Sequence, residues 1–328
     1  MIRRLKAVAV AAALVFGLAA CSTGSSDTAA DSADAGSGSA GGGLIAIITV
    51  DPANPYWKAE VDTAKAEAEA LGYSTTVNAH GNDPAKQTEF IDAAISAGAK
   101  AIILDPAGAD ESVGAVQKAT DAGIAVFLVN AEISAQGVAK AQIVSNNAQG
   151  ATLGANEWVK AMGGKGNYVE LFGNPTDNNA GVRSDAYHAV IDALPDFKLL
   201  QKETANWDRA EGKQKMELLL SAHPDLEGVI AGNDEMALGA IEALRDAGKL
   251  DKVKVLGFDG NDDAVAAVLA GEMVATVLQP IVDGTKAAVA QAHAFLTDGT
   301  LPASEKQAID CILITKENAG SLTGFVLN

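Results

Sequence analysis

The chain alternates short apolar runs with longer helical stretches over most of its length. The runs of strand length are Leu44 to Val50, Ala101 to Leu104, Ala125 to Val129, Tyr168 to Phe172, Gly228 to Ala231 and Val253 to Phe258, and helical stretches such as Tyr56 to Leu71 and Gln87 to Ala97 lie between them. Because each run is continuously apolar, its strand should be buried on both faces, as in a parallel sheet covered by helices. The sequence therefore predicts an α/β fold.

The number of these strand and helix units indicates more than one sheet. Residues 44–328 are enough for two lobes of ordinary domain size, each with its own core. Two successive sets of units, with a change of residue pattern near residues 142–147, predict two doubly wound lobes with parallel sheets. In such sheets ligands bind beyond the carboxyl ends of the strands.

The N-terminus carries an export signal that ends at Cys21. Basic residues at positions 3, 4 and 6 precede an apolar stretch from Ala7 to Ala20, and small residues come directly before the cysteine. This stretch is shorter than the roughly 20 residues that a membrane-spanning helix needs. It resembles a bacterial lipoprotein signal peptide over residues 1–20, after whose removal Cys21 carries the lipid; an ordinary secretory leader is the alternative. Both interpretations place the protein outside the cytoplasm.

The segment after Cys21 has the composition of a linker. Residues 22–43 are only Ser, Thr, Gly, Ala and Asp, which bury too little apolar surface to offset chain entropy. We therefore expect a disordered tether over residues 21–43, which holds the folded body near the membrane through its lipid anchor.

Charge and cysteine content exclude several classes of protein. The formal net charge is −18, and loss of the basic leader makes it more negative, so nucleic-acid binding is not expected. Cys21 and Cys311 are the two cysteines of the chain. If Cys21 is acylated, Cys311 has no disulfide partner, and we expect it to be a small buried side chain.

Polar residues follow the predicted strands at their carboxyl ends. Asp105, Asn130, Asn233 and Asp259 each stand at such a position. Trp57 follows the first apolar run, and Trp207 follows the segment Phe197 to Thr204. An indole face stacks on the C–H face of a sugar, while carboxylates and amides bind its hydroxyl groups. The pattern predicts a site for a small polyhydroxy ligand.

Several motifs in this order resemble those of ribose-type periplasmic binding proteins, the substrate receptors of sugar ABC transporters. They are Asn54-Pro55-Tyr56-Trp57, Ala231 to Ala240 (AGNDEMALGA), Gly257-Phe258-Asp259-Gly260 and Ala275 to Gln279 (ATVLQ). The resemblance extends from about Leu44 to the C-terminal region. It implies a type I periplasmic binding protein fold, delivery of the ligand to the transporter's membrane subunits, no cofactor, and a monomer.

The resemblance also implies individual ligand contacts. The matching residues are Asn54, Tyr56, Trp57, Asn130, Arg183, Trp207, Asn233, Asp259 and Gln279, with Asp105 and Ser145 as weaker candidates. Each has a structural alternative: Trp57 as a core aromatic, Arg183 as a solvated helix residue, Asp259 as a turn former, Asn233 and Asp234 as helix caps, and Asp105 at a helix entry.

Two departures from the family pattern bear on the ligand. Asn130 and Ala131 stand where the ribose receptors have aspartate and arginine, which removes two charged partners of ribose. Tyr56, Trp57 and Trp207 replace phenylalanines and reduce the space in the site. We therefore expect ribose itself to bind poorly and the ligand to be a small sugar or sugar alcohol, with a four- or five-carbon sugar alcohol favoured over a hexose.

The family pattern also predicts how the lobes are joined. The first lobe is expected to comprise residues 44–145 and 280–310, and the second residues 146–279 and 311–328. The hinge would have three segments, near residues 145–147, 279–280 and 310–312. A ligand that contacts both lobes stabilises the closed form.

Other functions fit the sequence less well. No dinucleotide or phosphate-loop motif follows a strand, the four histidines lack metal-ligand spacing, and no Gly-x-Ser-x-Gly elbow occurs. A secreted sugar hydrolase is a remote alternative, because carboxylates can pair in a cleft. A transcription regulator would need an N-terminal helix-turn-helix where this chain has its leader. A receptor for chemotaxis or quorum sensing could use the same fold.

Overall fold

The computed structural model describes residues 42–328. The predicted signal peptide (residues 1–20), the lipid attachment at Cys21 and the tether up to residue 41 lie outside the described residues. Within residues 42–328, no helix is long and apolar enough to cross a membrane.

Strands and helices alternate along the described chain. The strands are β1 (Leu44–Thr49), β2 (Ser74–Ala79), β3 (Ala101–Leu104), β4 (Ala125–Asn130), β5 (Ala141–Ser145), β6 (Gly166–Phe172), β7 (Phe197–Thr204), β8 (Gly228–Ala231), β9 (Lys254–Leu256), β10 (Thr276–Leu278), β11 (Lys306–Ile309), β12 (Ile312–Ile314), β13 (Leu322–Thr323) and β14 (Val326–Leu327). The helices are α1 (Pro55–Ala70), α2 (Pro84–Ser96), α3 (Val113–Asp121), α4 (Asn147–Ala161), α5 (Asn178–Ile191), α6 (Arg209–Ala222), α7 (Asp234–Asp246), α8 (Asp262–Ala270) and α9 (Ile281–Asp298), with a 3₁₀ turn at Ala319–Ser321.

Two parallel sheets organise the molecule. The first has six strands in the order β11-β5-β4-β3-β1-β2, and the second has four in the order β7-β6-β8-β9. We call the parts built on these sheets the first lobe and the second lobe. The central strands β3, β4 and β8 are buried along their whole length, which explains their continuously apolar sequences. The predicted α/β fold with two parallel-sheet lobes is confirmed.

The chain crosses between the sheets near the predicted hinge segments. It leaves β5 of the first sheet and enters α4, and later leaves β10 and enters α9, which packs on α1 and β4. It then runs from β11, paired in parallel with β5, into β12, paired antiparallel with β10. The lobe boundaries at residues 145/146, 279/280 and 310/311 remain our proposal, and these pairings support it.

Several strands of the structure were not among the predicted apolar runs, and one predicted run forms a shorter strand; the additional strands are β2, β5, β7 and β10 to β14. β2 was not among the predicted strands, because its sequence STTVNA is half exposed at the edge of the first sheet and lacks an apolar run. The run Val253 to Phe258 forms a strand only over Lys254–Leu256. Its remaining residues lead into the loop that carries Asp259.

Cys311 is buried, as expected. The Cys311 side chain packs directly against Gly150. A Cβ at position 150 would lie only 2.7 Å from the Cys311 Cβ, so a larger residue there would clash. Burial raises the pKa of the Cys311 thiol to about 12, so the thiol stays protonated and behaves as a small apolar group.

Candidate functional site

A single cavity between the lobes collects all nine principal site residues. The cavity is small, with about 260 Å³ of space between its lining atoms. The lining residues are Asn54, Tyr56, Trp57, Asn130, Asp177, Asn179, Arg183, Trp207, Asn233, Asp259 and Gln279. Their placement follows from topology, because parallel strands deliver their carboxyl ends to the same edge. Their role as ligand contacts remains a prediction.

The first lobe contributes the start of α1 and the end of β4. Asn54 caps the helix by accepting from the Tyr56 backbone N–H at 2.9 Å, with Pro55 in the first turn. This cap brings Tyr56 and Trp57 to the cavity, where they are 3% and 8% exposed. The Tyr56 hydroxyl donates to Asn130 Oδ1 at 2.9 Å.

Asp105 lies behind Asn130 rather than in the cavity lining. Its Oδ2 accepts from Asn130 Nδ2 at 2.8 Å, and the residue is only 1% exposed. The alternative role at a helix entry is wrong, because α3 begins at Val113 after Ser112, well beyond Asp105. Asp105 therefore contacts a lining residue and supports it from the interior of the first lobe.

Ser145 also lies outside the cavity lining. It borders a separate small space with Asn130 and the apolar side chains Ile143, Ile281 and Ile309. Its backbone carbonyl accepts from Asn147 Nδ2 at 3.1 Å. The structure therefore places Ser145 beside the crossing between the lobes and not against the ligand cavity.

The second lobe contributes Arg183, whose guanidinium group is buried and hydrogen-bonded. Arg183 is 3% exposed, so the alternative of a solvated helix residue is wrong. Its Nε donates to Asn147 Oδ1 at 2.7 Å and its Nη1 to the Gly232 carbonyl at 2.9 Å. Its guanidinium carbon lies 4.0 Å from the centroid of the Phe258 ring. These contacts fix the planar group before any ligand arrives.

Asp259 is the acidic partner of that cation. The Asp259 carboxylate lies 3.6 Å from Arg183 Nη1 and accepts from Gln279 Nε2 at 2.7 Å. Burial raises the pKa of Asp259, and the guanidinium of Arg183 opposes that rise. Gln279 Oε1 is buried and has no hydrogen-bond partner among residues 42–328, so this amide has acceptor capacity for a hydroxyl group.

A second carboxylate, Asp234, holds the backbone around Asp259. Asp259 has a φ of 128°, a conformation that an L residue adopts only under constraint. Asp234 accepts from the backbone N–H groups of Gly260 at 2.7 Å and Asn261 at 2.9 Å, and from Thr276 Oγ1 at 2.7 Å. Asp234 is therefore a support for Asp259.

Asn233 is a helix cap, the structural alternative, and it also lines the cavity. It caps α7 by accepting from the Met236 N–H at 3.0 Å, and its Nδ2 donates to the Trp207 carbonyl at 3.2 Å. Trp207 itself has a φ of 68°. Its ring packs over Gly173, where a Cβ would lie 2.1 Å from the indole. The cap and the glycine together define the position of the ring.

Asp177 and Asn179 were missed from the sequence. Asp177 caps α5 by accepting from the Asn179 N–H at 2.9 Å. Asn179 Nδ2 donates to the Asn130 carbonyl of the first lobe at 3.2 Å, and the backbone N–H of Ala109 donates to the Thr176 carbonyl at 3.0 Å. Both bonds join the lobes. The segment follows β6, so inspecting the end of that strand would have found it.

The chemistry of the cavity is that of a binding site for hydroxyl groups. Aromatic faces from both lobes meet amides, one cation and carboxylates, and residues 42–328 contain no cluster of His, Cys, Asp and Glu that could hold a metal ion. The fold and the cavity together define a two-lobed solute-binding protein.

Comparison with known proteins identifies the family. Residues 45–300 match the family model described as a periplasmic binding protein domain. The chain is 52% identical to the D-apiose import binding protein of Paraburkholderia graminis, over 87% of this chain and 91% of that protein. It is 34% identical to the ribose import binding protein of Escherichia coli, over 72% of this chain and 78% of that protein. The protein belongs to the periplasmic binding protein family.

A solved structure shows the same fold. The ABC transporter solute-binding protein of Bacillus halodurans with bound myo-inositol superposes with a TM-score of 0.80 at 28% identity, over 86% of this chain and 98% of that chain. Membership of a family of solute-binding proteins confirms that the chain is a binding protein and not an enzyme.

Proposed function

We propose that this protein captures a five-carbon sugar outside the cytoplasm and delivers it to an ABC importer, with D-apiose as the first candidate. The cavity carries the proposal, since its small volume is bounded by three aromatic side chains and by amide and carboxylate groups. Such a lining suits a compact hydroxyl-rich molecule better than a hexose. The 52% identity to a D-apiose import binding protein selects this sugar among compact candidates.

Sugar alcohols of four or five carbons are the next candidates. They have the same hydroxyl groups in a linear chain, and a ring is not required by the hydrogen-bonding groups of the cavity. Apiose is a branched five-carbon sugar, so both classes share the expected size. The panel for testing therefore contains D-apiose, erythritol, threitol, xylitol, ribose and glucose.

Calorimetric titration of the purified protein with this panel tests the proposal. We expect D-apiose to bind most tightly and glucose to bind weakly. Mass spectrometry of small molecules released from freshly purified, unfolded protein provides an independent identification. Tightest binding of a hexose in the titration would reject the proposed ligand class.

Closure of the lobes is the proposed signal to the transporter. A ligand that contacts Trp57 and Asn130 on one lobe and Arg183 and Asp259 on the other binds the closed form more tightly than the open form. It shifts the equilibrium only by that difference in affinity. The hydrogen bonds from Asn179 to Asn130 and from Ala109 to Thr176 are available only when the lobes are together.

Growth experiments separate import from sensing. A strain that lacks the gene should lose growth on D-apiose as sole carbon source and lose uptake of labelled sugar. Unimpaired growth and uptake, with a lost behavioural response to the sugar, would favour a receptor for sensing instead.

The proposed anchor is a lipid on Cys21. Incorporation of labelled fatty acid into the wild-type protein and its absence from the Cys21→Ser variant would support it. A secreted Cys21→Ser protein with unchanged sugar affinity is expected, because Cys21 precedes the folded body.

A further inference from the structure

A buried pair of carboxyl groups lies behind the ligand cavity in the first lobe. Glu60 follows Tyr56 by one helical turn on the buried face of α1, where Ala64 and Ala68 continue the same stripe. Glu60 and Asp105 are each 1% exposed, and Glu60 Oε2 is buried without a hydrogen-bond partner among residues 42–328. The two carboxyl groups lie close enough for each to shift the pKa of the other. A carboxyl group at a core position normally has a cationic partner.

No cation compensates this pair. Among residues 42–328, neither Glu60 nor Asp105 takes part in a salt bridge. The nearby His80 donates from Nε2 to the Asp105 backbone carbonyl, 2.8 Å away, and burial lowers the pKa of that histidine. His80 therefore stays neutral and supplies no charge.

The other ionisable groups around the pair do not remove the need for a proton. Asp177 at the start of α5 adds negative charge near Asp105, and Tyr56 keeps its proton because burial raises its pKa. The Trp57 indole N–H is buried and has no hydrogen-bond partner among residues 42–328. Burial raises the pKa of Glu60 well above its ordinary range, and the charge of Asp105 raises it further. The pair therefore keeps at least one proton at neutral pH.

The hydrogen bonds indicate that Glu60 holds this proton. Asp105 accepts the N–H of Asn130 at 2.8 Å, which favours the ionised form of Asp105 and opposes the rise in its pKa. Glu60, as the neutral acid, can then donate to Asp105. The resulting chain runs from Glu60 through Asp105 and Asn130 to Tyr56.

This chain determines which atoms Asn130 offers to a ligand. Because ionised Asp105 only accepts hydrogen bonds, it holds the Nδ2 side of the Asn130 amide, and the Tyr56 hydroxyl occupies Oδ1 at 2.9 Å. The second hydrogen on Nδ2 is left for the cavity. Asn130 has a φ of 68°, so its backbone is also held in an uncommon conformation.

We propose that Glu60 is a positioning residue for ligand binding: as a buried neutral acid it fixes Asp105, and through Asp105 it orients Asn130 as an N–H donor toward a sugar oxygen. The proposal deepens the sugar-binding function given above and rests on it for the identity of the ligand. It names a residue that lies one layer behind the cavity and does not contact the sugar.

Two substitutions at Glu60 separate the proton from the bulk of the side chain. Glu60→Gln keeps the shape and a hydrogen-bond donor, so affinity at pH 7 should stay within about twofold of wild type. Glu60→Leu fills similar space without a donor, and we expect roughly tenfold weaker binding, since Asp105 loses its partner. The control is Glu69→Gln on the exposed side of the same helix, with no expected change. Circular dichroism checks that each variant is folded.

The pH profile of affinity provides a readout that a purely structural role would not change. In the wild type, D-apiose or whichever panel sugar binds most tightly should bind more weakly at alkaline pH, where the pair loses the proton that Glu60 holds, because burial and the charge of Asp105 raise the pKa of Glu60 well above its ordinary range. Glu60→Gln should show a smaller decline because its amide cannot ionise. Identical profiles for the two proteins, in variants shown to be folded, would overturn the proposal.

Nuclear magnetic resonance of isotope-labelled glutamate tests the proton without any ligand. One side-chain carboxyl signal of the wild-type protein should remain protonated at neutral pH, and that signal should be missing from Glu60→Gln. If every glutamate titrates in the ordinary range, the proposal fails even if D-apiose binds. If D-apiose does not bind but the signal is present, the ligand assignment fails and the role of Glu60 is then decided with the sugar that does bind.

Discussion

The two walls of the cavity differ in their electrostatics. The first-lobe wall offers neutral groups, Tyr56 and Asn130, supported by the uncompensated carboxyl pair of Glu60 and Asp105. The second-lobe wall offers the Arg183–Asp259 ion pair, 3.6 Å apart. Arg183 is a permanent cation that stabilises the carboxylate of the second wall, whereas the carboxyl pair behind the first wall has no salt-bridge partner among residues 42–328 and its hydrogen-bond pattern depends on one proton. The two walls therefore differ in how they keep a carboxyl group in a buried place.

The largest effect is expected on the second wall. Asp259→Ala removes a ligand contact and leaves the buried Arg183 without its anionic partner, which costs about 3–5 kcal/mol for a buried pair. Sugar affinity measured by calorimetry should fall at least roughly 100-fold, which is about 2.7 kcal/mol.

The matched control is Asp251→Ala, an exposed acidic residue of the same lobe. It should bind sugar as the wild type does. Wild-type affinity in a folded Asp259→Ala protein would remove Asp259 from the site and with it the contrast between the walls.

The next effect tests the aromatic face of the first wall. Trp57→Ala removes a nearly buried indole from the cavity, and we expect a loss of roughly 2 kcal/mol or more in binding free energy, as for central aromatic contacts. Calorimetry with the best-binding sugar measures it.

Trp158→Phe is the comparison for that variant. Trp158 lies in the core of the second lobe and donates to the Lys254 carbonyl at 2.9 Å. Its substitution should lower the free energy of unfolding and leave affinity unchanged. If Trp57→Ala reduced only stability, its ring would be a core residue and not a ligand platform.

A smaller effect concerns the position of Trp207. Gly173→Ala places a methyl group 2.1 Å from the present position of the indole, so the ring must move, at a cost of roughly 1–3 kcal/mol for overpacking. Both affinity and thermal stability should fall.

Gly181→Ala is the control that separates displacement of the Trp207 ring from the general effect of replacing a glycine by alanine. Gly181 lies within α5, and a Cβ there meets no atom within 4 Å. We expect a gain of about 0.5–1 kcal/mol in stability and unchanged affinity. Equal outcomes for the two alanine variants would show that the ring is not confined by Gly173.

The smallest expected effect is a pH dependence of stability that comes from His188 and does not change sugar affinity. The His188 imidazole contacts Glu170 at 2.9 Å and Asp192 at 3.1 Å, and its hydrogen bond to Glu170 raises its pKa to about 9. Because the folded pKa is higher than the unfolded value of about 6.5, this stabilisation is complete below about pH 6.5 and is lost as pH rises through about 9.

Chemical denaturation at several pH values measures this contribution. We expect about 1 kcal/mol or less, since solvent screens the partly exposed pair, and His188→Gln should remove it. Sugar affinity should not follow this titration, because His188 lies outside the cavity lining. An affinity change that His188→Gln abolishes would contradict the assignment of pH-dependent binding to the first wall.

Much of the site was predictable from strand ends, and the exceptions share a cause. Asn130 and Asp105 both follow buried strands, yet only Asn130 lines the cavity, while Asp105 stands behind it. Asp177 and Asn179 were overlooked because they come several residues after β6 rather than directly behind it. A strand-end rule identifies the edge of the sheet but not the depth of a side chain below it.

Glu60 shows the same limit more clearly. Its position on α1 fits an exposed charge as well as a buried one, and nothing adjacent in sequence distinguishes the two. Burial to 1% and the facing Asp105, 45 positions later in the chain, give it its protonation state. Both properties come from packing of α1 on the first sheet.

The sequence by itself determined the two-lobed α/β fold, because the burial of each strand is encoded locally as a continuous apolar run. It also determined the family and the edge where the site lies, since parallel strands send their ends to one place. Only the tertiary structure decided which polar groups line the cavity, which support them from behind, and which carboxyl group keeps its proton. Those properties depend on distances and desolvation between residues far apart in the chain, and no local pattern specifies them.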